Sequence, residues 1–375
     1  MLITFAINKK KIKTILFSFL FFFILLFFLS GCSSLSYSWH IFSGHLEVLS
    51  KSEPIKKIIS DPHTSERLKN RLLLAEEARL FAINKLKLPD NSSYTRYSDI
   101  KRSSVVWNVV VASEFSLELK SWCFPVTGCV SYRGFYNEQY AQEYAKSVET
   151  SENIEVAVVN VPAYSTLGWS NLLGGDPILN TFVFEPDTHL VGLIFHELAH
   201  QKIYIKNDSS FNEAFATAVE RIGVNQWLEL TKPSTEISYY KSELVRKKEF
   251  NFLLKQANLE LKNLYSKKIN LSEMKIRKIK IMENLRKRLF AFVNEDKLDV
   301  GQKKKYLSWV NSLNNAYLGL FGVYEDLTPG FIAVFNAKQK SWGDFYREVK
   351  EISKKPKHER NETLLNFQNN YHKEG

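Results

Sequence analysis

The sequence predicts an α+β protein, with a small β-sheet and two apolar helices in its first part and a large, mainly helical C-terminal part. Runs of β-branched residues at 104–119 and 155–161 are typical of strands. Apolar residues at helical spacing in 187–201 and 212–227 predict two buried helices. The stretch 234–294 lacks proline and glycine and repeats leucine and isoleucine at helical spacing, which predicts long helices.

Residues 1–31 are interpreted as an export signal. Four lysines precede an almost uninterrupted apolar run from Ile15 to Leu29, which is short for a membrane-spanning helix. The run ends in Leu-Ser-Gly followed by Cys32, a pattern that resembles the bacterial lipobox. The resemblance implies cleavage before Cys32, acylation of that cysteine and a lipidated tether over residues 32–53. An uncleaved signal anchor with an incidental cysteine is the alternative.

These features predict a location in the bacterial cell envelope, with the lipid at Cys32 in a membrane and the body facing the periplasm. Ser33 is not an aspartate, which by analogy with lipoprotein sorting favours the outer membrane over the inner one. The net charge is +11, and an exported chain without a recognition motif is not expected to bind nucleic acid. A solvated helix face explains the positive charge of residues 241–305 best.

Residues 54–232 are predicted to form the core. Its first helix covers residues 65–87, a second covers 136–150, and a loop with prolines and glycines runs from 160 to 176. Cys123 and Cys129 lie six positions apart in a chain expected in an oxidising compartment, which favours a local disulfide. Two free thiols or a metal pair are the alternatives.

The buried helix at 187–201 carries the sequence His-Glu-x-x-His from His196 to His200. Positions i and i+4 share one face of a helix, so both imidazoles can reach one metal ion. Asp187 or Thr188 is the predicted cap of this helix, and Thr181–Phe184 before it is predicted to be a buried strand. A chance copy of the motif would usually lie on a solvated helix, whereas this helix is apolar.

The third metal ligand is best assigned to Glu213, at the start of the second apolar helix, which Asp208, Ser209 or Ser210 can cap. Glu220 lies two turns further on. Glu220 and Asn212 are both candidates for supporting the ligands by hydrogen bonds. Glu220 is also the alternative to Glu213 as the third ligand. Two histidines and one carboxylate suit one Zn²⁺ ion with an open position, while another divalent metal is not excluded. Glu197 is then placed to act as the general base.

Residues 233–354 are predicted to form a helical part packed on the core, followed by a polar tail over residues 355–375. The long helical stretch is expected to fold as an antiparallel hairpin with a bend near Asn270, and a single long helix is the alternative. One further helix is predicted from Gly301 to Phe321 and a last one over residues 329–350.

With these motifs considered together, the chain resembles a family of predicted aminopeptidases, described as bacterial lipoproteins with a gluzincin-like His-Glu-x-x-His helix. The resemblance covers nearly the whole mature chain and is carried by the blocks at 123–136, 163–169, 176–181, 194–201, 211–217 and 314–316. It implies a zincin-like metallopeptidase core, made of a small sheet, the His-Glu-x-x-His helix and the ligand helix. It also implies a peptide substrate and aminopeptidase activity.

Candidates for the remaining catalytic roles are weaker. Tyr132 and Arg133 follow a turn rich in glycine and proline and are the leading candidates to stabilise an oxyanion, with a structural turn as the alternative. Tyr164 and Tyr204 are lesser candidates for that role. A peptide substrate could pair with the predicted strand at 181–184.

An exopeptidase also needs an acidic anchor for the substrate amine, and Glu185, Asp187 and Glu220 are the candidates. Two other functions stay open. One is a non-enzymatic envelope lipoprotein with a structural zinc and a helical hairpin, 239–298, that binds a partner. The other is a zinc hydrolase acting on peptidoglycan peptides.

Overall fold

The computed structural model describes residues 32–124, 128–150, 153–294, 300–324 and 327–374, and it confirms the predicted mixture of small sheets and a majority of helices. The predicted export signal and the side chain of Cys32 lie outside the described residues. None of the described helices combines the length and apolarity that a membrane span requires.

The described residues divide into two compact units, with the boundary between Glu47 and Val48. Helix α1 (Cys32–Ser50) begins in the first unit and corresponds to the first helix expected within the tether segment. The predicted core and the predicted C-terminal part both belong to the second unit.

Short strands within the described residues form three small sheets. They are β1 (Ser52–Pro54), β2 (Arg96–Ser98), β3 (Val106–Ser113), β4 (Trp122–Phe124), β5 (Gly128–Val130), β6 (Arg133–Phe135), β7 (Ile154–Val161) and β8 (Ile178–Leu179). In the first sheet β2 pairs antiparallel with β1 and parallel with β8. In the second, β3 lies between β6 and β7 and is antiparallel to both. Strands β4 and β5 form a separate hairpin.

Helices surround these sheets and make up most of the described chain. After α1 they are α2 (Ile55–Ser60), α3 (Glu66–Asn84), α4 (Glu138–Glu149), α5 (Asp187–Lys202), α6 (Ser209–Thr231), α7 (Ser234–Tyr265), α8 (Leu271–Asn294), α9 (Val300–Ser312), α10 (Asn315–Tyr324), α11 (Thr328–Ala337), α12 (Trp342–Ser353) and α13 (Lys357–Glu374). The predicted hairpin is confirmed, because α7 and α8 are separate helices joined at residues 266–270.

The predicted strand at Thr181–Phe184 is wrong, because this segment is a series of turns. The amides of Phe182 and Val183 both donate to the carbonyl of Leu179, at 3.2 and 3.0 Å, which coils the chain instead of extending it. Arg71 of α3 fixes the coil by donating to the carbonyls of Val183, at 2.8 Å, and Glu185, at 2.6 Å. Phe182 and Val183 are therefore buried in a turn, Phe184 is 42% exposed, and the segment offers no strand edge to a peptide.

The predicted cap of α5 is also wrong. The position before the helix is Pro186, and Asp187 is the first helical residue. Its carboxylate binds Arg71 at 2.5 Å and Lys232 at 3.2 Å. Burial acts to raise the pKa of Asp187, but these two partners outweigh it and hold the pKa below its usual range.

Several element boundaries differ from the prediction because polar side chains end the elements. Strand β3 stops at Ser113, and the alternating residues after it keep one isolated bridge, between Ala112 and Leu119. The helix expected over 301–321 is two helices, because the side chain of Asn314 accepts from the amide of Tyr317 at 3.1 Å and starts α10. The helix expected over 329–350 is also two, because Ser341 caps the second one.

Helices α5 and α6 pack closely because two glycines face the contact. A Cβ atom on Gly223 would approach Phe195 of α5 to 2.8 Å and Leu86 to 2.7 Å. A Cβ on Gly192 would lie 3.2 Å from the side chain of Glu220. Since both approaches are tighter than normal van der Waals contacts, larger residues would push the helices apart.

The C-terminal helices cover the outer side of α6. The ring of Phe331 on α11 packs against Phe211 and Phe215, with centroids 4.9 and 5.7 Å away. The segment predicted as a polar tail is helix α13, whose Arg360 binds Asp208 at 2.6 Å. Asp208 in turn caps α6 by accepting from the amide of Phe211. The C-terminal segment is therefore a structural support of α6.

We expect Arg360→Ala to lower the free energy of unfolding by about 3 kcal/mol, because it leaves the buried carboxylate of Asp208 without its closest cationic partner. Urea denaturation of the full chain measures this. Lys357→Ala is the matched control, because Lys357 is mostly exposed and lies 3.5 Å from the same carboxylate. The control should change stability by less than about 1 kcal/mol. Equal effects of the two variants would contradict the structural role of Arg360.

Candidate metal centre

Two helices bring the three predicted ligands together. His196 and His200 lie one turn apart on α5, with ring centroids 4.8 Å apart, and Glu213 lies in the first turns of α6. The Nε2 atom of His196 is 3.3 Å from one carboxylate oxygen of Glu213, and Nε2 of His200 is 3.6 Å from the other. One donor atom from each residue lies within 4.8 Å of the other two. This spacing matches a site that could hold one metal ion.

The connection between α5 and α6 fixes where Glu213 lies. The side chain of Asn212 donates to the carbonyl of Ile205 and accepts from its amide, both at 2.8 Å. Asn212 was predicted to support a ligand directly, but its bonds go to the backbone of the connection. It therefore acts on the site by holding the chain just before Glu213.

A disulfide-closed hairpin clamps the same connection. Cys123 and Cys129 are joined in a disulfide between β4 and β5. The amide of Cys129 donates to the side chain of Asn207 at 2.7 Å. Gly128 has a φ of +77°, and a Cβ there would collide with Asn207, so the close approach requires glycine. The hairpin therefore lies against the segment between the last histidine and Glu213.

Glu220 contacts the opposite side of His196. Its carboxylate lies 3.0 Å from Nδ1, while Glu213 faces Nε2 of the same ring. The two glutamates, which the sequence left as alternative ligands, thus have different positions. A metal bound through the two Nε2 atoms would meet Glu213, and Glu220 would orient the imidazole from behind.

The charges of this cluster favour a cation. Burial acts to lower the pKa of His196, but the hydrogen bonds and charges of Glu213 and Glu220 outweigh it and hold this pKa well above its ordinary value. Burial lowers the pKa of His200 to about 4, so this imidazole is neutral at pH 7. Burial also opposes ionisation of both glutamates, but His200 and His196 lower the pKa of Glu213, and His196, with Lys247 and Arg221, lowers that of Glu220. His196 thus lies between two carboxylates and His200 lies beside one of them, a set of imidazoles and carboxylates that suits a divalent metal.

Glu197 lies beside the ligands and is almost fully buried. Burial is the main cause that raises the pKa of Glu197 to about 7. The charges of Glu213, Asp176 and Glu220 also raise this pKa, while the charge of His196 lowers it. A carboxyl group that titrates near neutral pH can both accept and return a proton. This is the property that a general base at this position needs.

Asp176 is a buried residue near Glu197 that sequence reasoning did not single out. Its carboxylate accepts from the amide and hydroxyl of Thr166, at 3.0 and 2.7 Å, and from the hydroxyl of Ser170, at 2.7 Å. Gln201 of α5 lies 3.4 Å away and shares a helix face with Glu197, four residues earlier. Asp176 therefore joins the loop 163–175 to the helix of the histidines. The aspartate before Pro177 gave no signal of this role.

Tyr94 was also missed. It is buried, and its hydroxyl is enclosed without a hydrogen-bond partner among the described residues. Burial, followed by the charges of Glu197 and Asp176, raises the pKa of Tyr94 well above its ordinary value, so the hydroxyl keeps its proton. Nothing in the local sequence, Ser-Ser-Tyr-Thr, marks it.

The predicted oxyanion donors Tyr132, Arg133 and Tyr164 each contact other aromatic or apolar side chains. The guanidinium of Arg133 lies 4.5 Å from the ring centroid of Tyr144, and Tyr132 packs against a cluster that includes Val110 and Ala316. Tyr164 contacts Tyr136 edge-on, with centroids 5.8 Å apart. Their catalytic roles stay predictions.

Tyr204 lies within the electrostatic influence of Glu213. Burial, followed by the charge of that carboxylate, raises the pKa of Tyr204.

Among the candidate amine anchors, Asp187 and Glu220 already have cationic or imidazole partners. Glu185 is more exposed and lies 3.9 Å from His189.

Asp176→Ala should loosen the loop 163–175, because the hydroxyls of Thr166 and Ser170 would lose their buried acceptor. We expect amide hydrogen exchange in that loop to accelerate about tenfold or more, equivalent to about 1.4 kcal/mol of local stability. Asp90→Ala is the control, because Asp90 is exposed and pairs with Arg79 at the surface. Unchanged exchange in the Asp176 variant would show that the network does not hold the loop.

Comparison with known proteins gives one match. The model of a protein family described as "Putative aminopeptidase" matches residues 36–364, which is most of the chain. No curated protein and no solved structure matches it. The matched region includes both candidate metal-binding helices and the C-terminal helices that pack on them. On this evidence the chain belongs to the putative aminopeptidase family.

Proposed function

We propose that this protein is a zinc-dependent peptidase with a zincin-like core, in which His196, His200 and Glu213 hold one zinc ion. The observation that carries the proposal is the convergence of these three donor atoms within 4.8 Å. When bound, zinc supplies a Lewis acid that polarises the scissile carbonyl and lets water attack at neutral pH. Membership of an aminopeptidase family supports a peptide as the substrate.

The donors fit zinc by their chemistry. Two imidazole nitrogens and one carboxylate oxygen are a ligand set typical of catalytic zinc, and such a set leaves one coordination position open. Glu220 supports this assignment, because its carboxylate lies beside Nδ1 of His196. A histidine ligand usually donates the N–H of its other ring nitrogen to a carboxylate, and this bond fixes the tautomer of the imidazole. The neutral state of His200 leaves its Nε2 lone pair available.

Glu197 would move the proton in the reaction. Its carboxylate would accept a proton from the attacking water and return it to the leaving amine. A pKa near 7 suits both steps, because the group is neither too acidic to accept the proton nor too basic to release it. The burial of Glu197 also limits competition from bulk water.

Tyr132 and Arg133 are proposed as oxyanion donors, as the sequence suggested. Tyr164 and Tyr204 stay lesser candidates, and the charge of Glu213, after burial, raises the pKa of Tyr204. The substrate is not expected to pair with residues 181–184, since these form turns. The choice between exopeptidase and endopeptidase action depends on an amine anchor, for which Glu185 is the candidate with the weakest described partner.

The same proposal includes anchoring of the chain by acyl groups on Cys32, in the bacterial envelope and facing the periplasm. It rests on the apolar run of residues 15–29, the Leu-Ser-Gly-Cys sequence and the disulfide, which is typical of an oxidising compartment. The outer membrane is favoured because Ser33 follows the acylated position.

A non-enzymatic lipoprotein with a structural zinc is the competing function. Structural zinc sites normally have four protein ligands. Within the described residues the cluster at this site offers three, and a general-base candidate lies beside them. This composition favours catalysis over a purely structural role.

Glu197→Gln should reduce peptide hydrolysis by roughly 100-fold or more while keeping stoichiometric metal, because it removes the base and spares the ligands. Cleavage of a mixed peptide library, followed by mass spectrometry, measures the activity and shows whether ends or interior bonds are cut. Glu185→Gln is the matched control and should not change the turnover of interior-cut peptides. Full activity of the Glu197 variant would disprove this mechanism.

The two glutamates beside His196 can be distinguished by metal affinity. Glu220→Gln should weaken zinc binding by about 10- to 100-fold, as for other residues that orient a ligand. Glu213→Gln should weaken it more, because it removes a ligand. Competition with a chromophoric chelator measures both constants. A larger loss for Glu220→Gln would exchange the two roles.

A further inference from the structure

The turn at Trp169–Leu173 exposes large apolar side chains beside the candidate site. Trp169 is 71% exposed, Leu172 is 98% exposed and Leu173 is 63% exposed. We call these three residues the apolar turn. They project into solvent. Their exposure needs an explanation, because monomeric proteins seldom expose such side chains in a cluster.

The base of the apolar turn is firmly bonded. Gly168 and Gly174 take left-handed conformations at its two ends, with φ of +83° and +102°. Ser170, within the turn, is buried and donates to Asp176 at 2.7 Å. The amide of Gly175 donates to the carbonyl of Ser170 at 2.9 Å. The structure thus holds the apolar side chains outward.

The apolar turn lies close to Ser52, a residue near the start of the second unit. Arg96 donates to the side chain of Ser52 at 2.8 Å and also to its carbonyl. A Cβ on Gly174 would lie 2.9 Å from the aliphatic part of the same arginine. Arg96 therefore bridges the end of the apolar turn and a residue two positions after α1. Ser52 and the apolar turn therefore share one region of the second unit.

Together with the proposed anchor at Cys32, this placement favours a lipid surface as the partner. Helix α1 contains 19 residues and is about 28 Å long, so an anchor at Cys32 keeps Ser50 within that distance of the bilayer. Tryptophan and leucine are the residues that enter the membrane interface most readily. A short tether also gives the turn a high effective concentration at the surface.

We propose that Trp169, Leu172 and Leu173 insert into the interface of the bilayer that holds the N-terminus and form a second membrane contact. The proposal rests on the proposed anchor at Cys32 and is independent of peptidase activity. Because Asp176 and Gln201 join the loop to the helix of the histidines, this contact would hold the candidate site close to the membrane surface.

The test uses the full chain in vesicles of phosphatidylethanolamine and phosphatidylglycerol. Leu172→Cys is labelled with a polarity-sensitive fluorophore, and quenching by phospholipids with brominated acyl chains is measured. Leu230→Cys is the matched control, because Leu230 is a 66% exposed leucine at the end of α6. Leu173→Cys gives a second position in case the first variant folds poorly.

Insertion predicts quenching at residues 172 and 173 that is about twofold or more greater than at residue 230, because inserted side chains reach the acyl boundary. Equal quenching at all three positions would overturn the proposal. A change of fluorescence only after addition of an apolar peptide would also overturn it and would assign the turn to substrate binding.

The mass of the N-terminal peptide reports acylation of Cys32 separately. An unmodified Cys32 would remove the anchor and with it the basis of this inference. Acylated protein without quenching at the turn would leave the anchor intact and refute the insertion alone.

Discussion

The close packing of α5 against α6 is the constraint on which the candidate site depends. Gly192 and Gly223 let the two helices approach, and larger side chains at these positions would collide with Glu220 and Phe195. The approach places one carboxylate against each ring nitrogen of His196. Two buried carboxylates favour positive charge between them, which is why the pKa of His196 is raised, and the packing that forms the site thereby also favours a bound cation.

The remaining elements can be understood as supports for this helix pair. The connection between the helices is fixed by the disulfide hairpin and Asn212. The loop 163–175 is tied to α5 by Asp176 and Gln201. Helices α11 and α13 cover the outer side of α6. The helical C-terminal part is therefore integrated with the core, which agrees with one compact unit over residues 48–375. Perturbations far along the chain, such as loss of Arg360, reach the site through the cap of α6.

The sequence predicted those features that depend on local pattern. Periodicity gave the helices of the pair and the α7–α8 hairpin, and the spacing of His196, His200 and Glu213 gave the cluster. Prediction from local sequence failed where distant polar groups decide the local conformation. The run Thr181–Phe184 is apolar like a strand, but Arg71 holds it as a turn from more than a hundred residues away. Asp176 and Tyr94 gain their positions from tertiary contacts, and no local pattern encodes these.

The way in which Asn212 and Asp208 position Glu213 has a consequence for maturation. Backbone bonds and a helix cap place this carboxylate, so its position comes from the fold and does not require the ion to gather the ligands. Under the proposed function, the chain would be exported unfolded, close its disulfide, fold, and acquire its metal last, from the pool of the compartment in which it resides. The supply of metal in that compartment would then decide how much of the folded protein is active.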